Sequence, residues 1–250
     1  MTRRDALSLP ATQVPVIAVD GPSGVGKGMI TRWLSTQLGW HRLDSGALYR
    51  ILALAAVRAG VDLADAAAVA ALAPALDIRF VGTTEADEAI LVDAADWTAQ
   101  VRAEATGGLA SQIAAAPLVR AALLRRQQDF RQPPGLIADG RDMGTVVFAD
   151  AILKFFIEAS AEVRANRRFL QMGGAGLSGE AASATLRALC GEVRARDERD
   201  RNRSVAPLVP ATDAIIVDTT HLKPAEVLAV IDKALVDAGV LKSLGESPQR

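Results

Sequence analysis

Short apolar runs that end in acidic residues recur along the chain. Val16–Asp20 reads Val-Ile-Ala-Val-Asp, and similar runs cover residues 136–139, 152–158 and 214–218. Each run is followed by a stretch that reads as loop and helix, the alternation that builds a parallel sheet covered by helices. The pattern therefore predicts an α/β fold. In such sheets ligands bind beyond the carboxyl ends of the strands, so we expect function at that edge.

A helix follows the first run, because Ile30, Trp33, Leu34 and Leu38 recur at helical spacing until Gly39. Its predicted end is that glycine.

Other segments depart from the sheet pattern. Strand-like runs at 76–81 and 89–93, separated by a turn at Gly82-Thr83-Thr84, and a third run that ends at Trp97 predict a small antiparallel insert. The alanine-rich residues 61–75 before it predict a plain helix. The glycine-rich residues 173–179 separate two helices, and composition is equally typical of a mobile lid and of an ordinary helical hairpin loop.

Composition narrows the classes of function. The chain has 250 residues, half of them apolar, and a formal net charge of -1, so it can build a large core and has no global attraction to nucleic acid or anionic membranes. One cysteine and two histidines exclude a disulfide framework and a zinc constellation. No signal-peptide core or membrane-length apolar run is present. We expect a cytoplasmic monomer that binds small molecules and, if any metal, a hard oxygen-bound ion.

The most specific motif is the glycine loop that follows the first strand. Residues 21–27 read Gly-Pro-Ser-Gly-Val-Gly-Lys, the G-x-x-x-x-G-K pattern of a phosphate-binding P-loop. Its backbone N–H groups and the N-terminus of the next helix attract phosphates, and Lys27 reaches the outer ones. A glycine turn that binds nothing is disfavoured because strand, loop and helix occur in the required order. The pattern departs from the full motif at Gly28 and Met29, which follow the lysine where a hydroxyl is usual.

Three further segments carry candidate chemistry. Ser45 reads as a helix N-cap with Arg50 in the next turn, an arrangement that can bind an anion. The alternative is an ordinary helix cap followed by a solvent-exposed arginine. Asp139 ends an apolar run at the position where a P-loop protein holds magnesium, usually through water, and Arg141 and Asp142 follow it. These three residues also fit a plain polar turn.

The third segment, residues 194–203, is dense in arginine. At 100° per residue, Arg196, Arg199, Asp200 and Arg203 share one helical face, where guanidinium groups suit a transferring phosphoryl group. The alternatives are a solvated helix laced by intrahelical ion pairs, and an RNA-binding run, which the interleaved acids disfavour.

Together these motifs resemble those of the bacterial cytidylate kinases, a family of nucleoside monophosphate kinases. The resemblance spans about residues 14–235, and its specific pieces are 20–28, 43–50, 135–147 and 196–210. It implies a single P-loop kinase domain over 14–235, with a monophosphate-binding lobe at about 45–128 that contains the small antiparallel sheet and a short lid at about 168–185. Residues 1–13 and 243–250 are expected to be flexible tails. The implied reaction transfers the γ-phosphoryl group of ATP to CMP or dCMP with Mg²⁺.

The resemblance also assigns roles to residues. It implies that the ATP phosphates contact Gly21, Pro22, Ser23, Gly24, Val25, Gly26, Lys27, Gly28 and Met29. It implies that the monophosphate is surrounded by Ser45, Arg50, Ser111, Arg120, Arg141, Asp142, Arg196, Asp200 and Arg203. Among these, Ser111, Arg120 and Asp142 would contact the base, and Asp200 a ribose hydroxyl. Ser111 and Arg120 lie in residues 109–126, which read as plain helix. Arginines are dense on both sides of the glycine-rich segment, and from this we expect lid closure to bring Arg167, Arg168, Arg196 and Arg199 around the phosphates. The catalytic residues would then be Lys27, Asp139, Arg196 and Arg199.

The chain departs from the family where Met29 replaces the usual threonine, and the segment at 173–179 is longer than the family's lid. We expect ATP still to bind, and Met29→Thr to raise activity. Two alternatives stay open. One is a kinase of the same fold acting on UMP, AMP or a carboxylated metabolite, and the other is a nucleotide-binding regulator that has lost catalysis.

Overall fold

The computed structural model describes residues 14–82, 89–176 and 178–241, and the described strands form two sheets. The strands are β1 Val16–Asp20, β2 His41–Asp44, β3 Ile78–Val81, β4 Ala89–Val92, β5 Ala95–Asp96, β6 Leu136–Gly140, β7 Leu153–Glu158 and β8 Ile215–Asp218. The helices are α1 Lys27–Leu38, α2 Ser45–Arg58, α3 Ala66–Leu72, α4 Thr98–Arg102, α5 Glu104–Ile113, α6 Pro117–Asp129, α7 Ala161–Gln171, α8 Gly179–Arg201 and α9 Pro224–Asp237.

The larger sheet is parallel, with strand order β2-β6-β1-β7-β8, so the predicted parallel α/β core is confirmed. All five residues of β1 are buried, as expected of a central strand covered by helices on both faces. In the ladders Val19 pairs with Asp139 and Asp44 with Asp139, while Asp20 pairs with Gly140. Three carboxylates therefore meet at one edge of the sheet, where the sequence predicted function.

The smaller sheet is the predicted insert, with antiparallel order β3-β4-β5. Ile90, Val92 and Trp97 are buried in one apolar cluster with Ile51 of α2. The insert is thus tied to the helix that carries Arg50. Thr83 and Thr84 of the predicted connecting turn lie outside the described residues.

Two predicted helices differ from the structure. The helix predicted over 61–75 is the shorter α3, because Asp65 caps it by accepting a hydrogen bond from Ala68 N at 3.0 Å. Pro74 then lies in a 3₁₀ turn at Ala73–Ala75. The helical region 109–126 is divided between α5 and α6, since Pro117 starts a new helix.

The segment predicted as a lid runs from α7 through a 3₁₀ turn at Gly174–Gly176 to α8. Leu177 in that segment, and the predicted tails 1–13 and 243–250, lie outside the described residues. Over the ranges that the structure describes, no single helix has the length and hydropathy to cross a membrane, although the bent pair α5 and α6 meets that criterion when the two are taken together.

Candidate active site

The P-loop has a backbone that requires glycine. Gly21 has φ +144°, and a Cβ there would lie 2.0 Å from the carbonyl oxygen of Ile157 on β7. Gly26, with φ +100°, is the left-handed N-cap of α1 and supplies no side-chain cap to the helix. The first amides of α1 are therefore left for an anion, as the motif predicts.

Lys27 is buried at the centre of this edge. Its Nζ donates to the carbonyl oxygens of Gly21 (2.9 Å) and Pro22 (3.1 Å) and lies 3.6 Å from Asp139 Oδ1. Burial lowers the pKa of Lys27 to about 8, and the positive charge of Arg141 acts in the same direction. Burial also raises the pKa of Asp139, against the effect of Lys27. Phosphate oxygens would restore the solvation that this ammonium group lacks.

Met29 packs against the apolar cluster formed by β1, β7 and α9. Thr31, one turn after Lys27, is buried and lines the same cleft as Lys27 and Asp139. Its Oγ1 donates to the carbonyl oxygen of Gly28 at 3.3 Å. The structure therefore places a hydroxyl on the cleft side of α1 at position 31, which sequence reasoning missed although its i, i+4 spacing from Lys27 was a usable signal.

A second pocket adjoins this cleft, and it is lined by Ser45, Gly46, Tyr49, Arg50, Ala110, Ser111, Ala114, Arg120, Gly140, Arg141, Asp142, Arg196, Asp200 and Arg203. All nine residues predicted to surround a monophosphate are in this set. They come from α2, α5, α6, the turn after β6, and the end of α8 with the residues that follow it, so the fold brings together residues up to 158 positions apart in sequence.

The deep part of this pocket is polar and buried. Arg120 Nη2 forms an ion pair with Asp142 Oδ2, and its Nη1 donates to the carbonyl oxygen of Ala114 at 3.3 Å. Burial raises the pKa of Asp142, and the adjacent Arg120 opposes that effect. Ser111 Oγ is buried with no hydrogen-bond partner among the described residues. A buried hydroxyl without a partner is costly unless a ligand completes it.

The mouth of the pocket is built on Asp200, which is 1% exposed. Arg141 Nε donates to Asp200 Oδ2 at 3.1 Å, and Arg203 pairs with Oδ1. Arg196 lines both the pocket and the cleft. Burial and the charge of Arg141 lower the pKa of Arg196 to about 10, and its Nε is buried without a partner in the part of the chain that is described. The guanidinium groups of Arg141 and Arg196 therefore lie where the two cavities meet, and that of Arg203 lies on the pocket side.

Ser45 and Arg50 lie on α2, and one detail corrects the sequence interpretation. The N-cap of α2 is Asp44, whose carboxylate accepts a hydrogen bond from Ala47 N at 3.0 Å, and Ser45 is the first helical residue. Because Asp44 meets the cap requirement, Ser45 instead contributes to the pocket lining. Arg50 Nη1 donates to the carbonyl oxygens of Val101 (2.9 Å) and Ala103 (3.1 Å).

The structure does not bring Arg199 to the site, since this residue is exposed and lines neither cavity. The buried positions of α8 are Leu189, Val193, Asp197 and Asp200, and this stripe turns position 199 toward solvent. Arg203, predicted on the same helical face, lies beyond the end of α8 at Arg201 but is held by Asp200.

The arginines of α7 have separate partners. Arg167 donates to Val25 O and Thr219 O, and Arg168 pairs with Glu104 and Glu192. Sequence reasoning missed Arg164, whose Nη1 donates to Asp197 Oδ1 (2.9 Å) and to the P-loop carbonyl of Ser23 (3.2 Å). No local pattern reports a contact between residues so far apart.

Two more residues near the site had no role in the sequence prediction. Asp20 accepts hydrogen bonds from Met143 N and Gly144 N, both at 2.8 Å, and burial raises its pKa to about 6. Tyr49 lines the pocket beneath Arg120, whose Cζ is 5.9 Å from the ring centroid. The Tyr49 hydroxyl is buried, and burial raises its pKa to about 12.

A P-loop cleft of about 500 Å³ thus meets an arginine-rich pocket, with Arg50, Arg141 and Arg196 common to both. This arrangement defines a P-loop phosphotransferase with a donor side and an acceptor side. The cytidylate kinase family model matches residues 17–236. A cytidylate kinase of Pseudomonas fluorescens is 54% identical over 217 residues, which cover 86% of this chain and 93% of the relative. One of Salmonella paratyphi B is 51% identical over 221 residues, covering 88% and 93%.

The chain belongs to the cytidylate kinase family, and it is therefore a kinase. The resemblance found in its sequence motifs is confirmed.

Proposed function

We propose that this protein transfers the γ-phosphoryl group of ATP to CMP or dCMP, giving CDP or dCDP and ADP. The observation that carries the proposal is the pocket in which the buried Ser111 hydroxyl lacks a partner beside the Arg120–Asp142 pair, open to the P-loop cleft through Arg141 and Arg196. The family membership supports the same reaction.

The polar groups of the deep pocket match the edge of cytosine. Asp142 offers acceptor oxygens for the exocyclic amine, and Arg120 and Ser111 offer donors for the ring nitrogen and the carbonyl oxygen. Uracil would place a carbonyl where cytosine has the amine, against the Asp142 carboxylate. A site built around buried hydrogen bonds strongly rejects a ligand that leaves them unpaired.

The phosphate ends of the two substrates would meet at the shared arginines. Arg50, Arg141 and Arg196 suit the acceptor phosphate, with Ser45 beside them, and Asp200 and Arg203 lie toward the ribose. The P-loop amides and Lys27 would hold the ATP phosphates. A phosphate oxygen of CMP then attacks the γ-phosphorus as the bond to the β–γ bridging oxygen breaks, and the guanidinium groups stabilise the charge that is spread over the transferring group.

The residues present fit a magnesium ion. Among the described residues no group of three or more His, Cys, Asp or Glu could hold a metal. With nucleotides, Mg²⁺ is usually bound by one or two carboxylates together with phosphate oxygens and water. Asp139 would hold it through water, next to Lys27. When bound, Mg²⁺ supplies positive charge that neutralises the phosphates.

The same proposal includes the organisation of the chain. Residues 14–235 would form one kinase domain, with a monophosphate-binding lobe at about 45–128 and a lid at about 168–185. Its ligands would be the nucleotides ATP, CMP and dCMP, since a net charge of -1 gives no long-range attraction to nucleic acid or to an anionic membrane. The protein would act as a monomer in the cytoplasm.

A coupled assay of ADP release with CMP, dCMP, UMP and AMP tests the function. We expect turnover to be fastest with CMP or dCMP and far slower with UMP and AMP. Faster turnover with UMP or AMP would identify another acceptor. ATP binding without turnover on any acceptor would instead support a regulator that has lost catalysis.

A further inference from the structure

One arginine of α7 is held between two carboxylates that come from different parts of the fold. Arg168 Nη2 lies 3.1 Å from Glu104 Oε1 and 3.0 Å from Glu192 Oε2. Glu192 is on α8, which packs directly against α7. Glu104 is the first residue of α5, in the lobe that carries Ser111. The Arg168–Glu104 pair therefore links the proposed monophosphate-binding lobe to α7, the helix that leads into the proposed lid.

The start of α5 also contacts the arginines of the acceptor side. Arg50 donates to the carbonyl oxygens of Val101 and Ala103, immediately before Glu104. One turn further on, a Cβ at Gly107 would lie 2.9 Å from Arg50 Nη2 and 3.3 Å from Arg196 Nη1. Residues 101–107 thus touch Arg50, Arg168 and Arg196, and we call this segment the α5 junction.

Two of these arginines have a buried donor that no group in the described part of the chain accepts. The Nε groups of Arg168 and Arg196 are buried and have no hydrogen-bond partner among the described residues. The Glu104 carboxylate favours the charged form of Arg196 as well as pairing with Arg168. Buried guanidinium donors without a partner are suited to phosphate oxygens. Glu104 therefore lies close to both Arg168 and Arg196, although it lines neither the P-loop cleft nor the adjoining pocket.

We propose that Glu104 is a positioning residue that couples the two nucleotide sites through Arg168. This inference rests on the proposed function. The acceptor phosphate engages Arg50 and fixes the α5 junction. Arg168 lines neither cavity in this structure, and Glu104, as part of that junction, holds it near Arg196, from where it would turn toward the phosphates of bound ATP. Acceptor binding should then raise the affinity for ATP, and ATP should raise the affinity for the acceptor by the same factor.

Glu104→Gln tests this role, and Glu192→Gln is the matched control. Both changes remove one carboxylate from the same guanidinium with almost no change of shape, and both side chains are at least half exposed, which limits the risk to folding. Calorimetry would measure the Kd of a non-hydrolysable ATP analogue with and without CMP. For the wild type we expect CMP to tighten this Kd by about 5-fold or more.

In Glu104→Gln we expect this factor to fall below about 2-fold, with the Kd of CMP alone unchanged, whereas Glu192→Gln keeps it. A double-mutant cycle with Arg168→Lys adds a kinetic readout. Glu104→Gln should lower kcat by about 10-fold alone and have no further effect when Arg168 is already changed.

Coupling retained in Glu104→Gln, equal loss of coupling in Glu192→Gln, or additive effects on kcat would overturn the inference. A wild-type protein that binds both nucleotides without coupling would also overturn it while leaving the proposed function intact. A wild-type protein that does not bind CMP would instead remove the proposed function.

Discussion

Buried charges at the acceptor side are paired in a way that favours recognition over stability. Asp200 is held by Arg141 and Arg203, and Asp142 by Arg120. Buried ion pairs of this kind seldom stabilise a fold more than apolar residues of the same volume would, because each charge gives up its hydration. Their placement around one pocket is better explained by a charged, polar ligand that shares the same hydrogen bonds.

Arg196 and Arg199 allow this to be tested residue by residue, because they lie three positions apart on α8 and differ in exposure. We expect Arg196→Ala to lower kcat by about 100-fold or more, as loss of a group that stabilises transition-state charge does. Arg199→Ala is the matched change on the solvent-exposed face of α8, and its kcat should remain within about 2-fold of the wild-type value. Steady-state kinetics with ATP and CMP would measure both, and comparable losses in the two variants would restore Arg199 to the catalytic set.

At the scale of elements, the end of β1 is joined to the turn that follows β6. Asp20 closes β1, and its two carboxylate oxygens accept from Met143 N and Gly144 N, the residues directly after Asp142. The strand that leads into the P-loop thus also fixes the turn that carries Asp142. Burial of the carboxylate raises the pKa of Asp20 to about 6, and the two backbone hydrogen bonds act in the opposite direction.

That shift predicts a pH dependence of stability. Unfolded Asp20 loses its proton near 3.8 and folded Asp20 near 6, so the folded state binds the proton more tightly and the free energy of unfolding falls as pH rises from about 4 to 6. The Asp20 contribution is on the order of 3 kcal/mol. In Asp20→Asn the Asp20 contribution to this decline should be absent, while Asp139 and Asp142, whose pKa values are also raised, still contribute in both proteins. Urea denaturation at pH 4, 5 and 6 would measure the free energy of unfolding of both proteins. We expect the value for the variant to rise relative to that of the wild type as the pH increases, and parallel pH curves would contradict the assignment.

The elements that sequence predicted best are those with local signals. The periodicity of α1, the apolar runs of the parallel strands and the glycine loop are each contained within a dozen or so residues, and all are confirmed. Ser111 and Arg120 were found only through the family resemblance, since their helices carry no distinctive pattern. Asp20, Arg164 and Glu104 depend on partners more than 30 residues away. Helical periodicity grouped Arg199 with Arg196, but which face of α8 is buried depends on what packs against it.

At the scale of the whole molecule, the two nucleotide sides rest on different apolar clusters. Val92 of the insert packs with Ala47 and Ile51 of α2 and with Val101, the residue whose carbonyl oxygen receives Arg50. On the other side of the sheet, Val217 of β8 packs in the cluster that contains Val25 of the P-loop. A packing defect in one of these clusters should therefore weaken the binding of one nucleotide more than the binding of the other.

Val92→Ala and Val217→Ala make the same change in these two clusters, at positions that are 0% and 4% exposed. Each should cost about 1–3 kcal/mol of unfolding free energy, because each removes buried methyl groups and leaves a small cavity. We expect Val92→Ala to raise the KM for CMP several-fold with little change for ATP, since α2 and Val101 lose support. Val217→Ala should instead raise the KM for ATP several-fold with little change for CMP, because Val25 of the P-loop loses support. The KM values and Tm of both variants would be measured, and an identical KM pattern would show that the two clusters respond as one unit, so that loss of packing anywhere reaches both nucleotides.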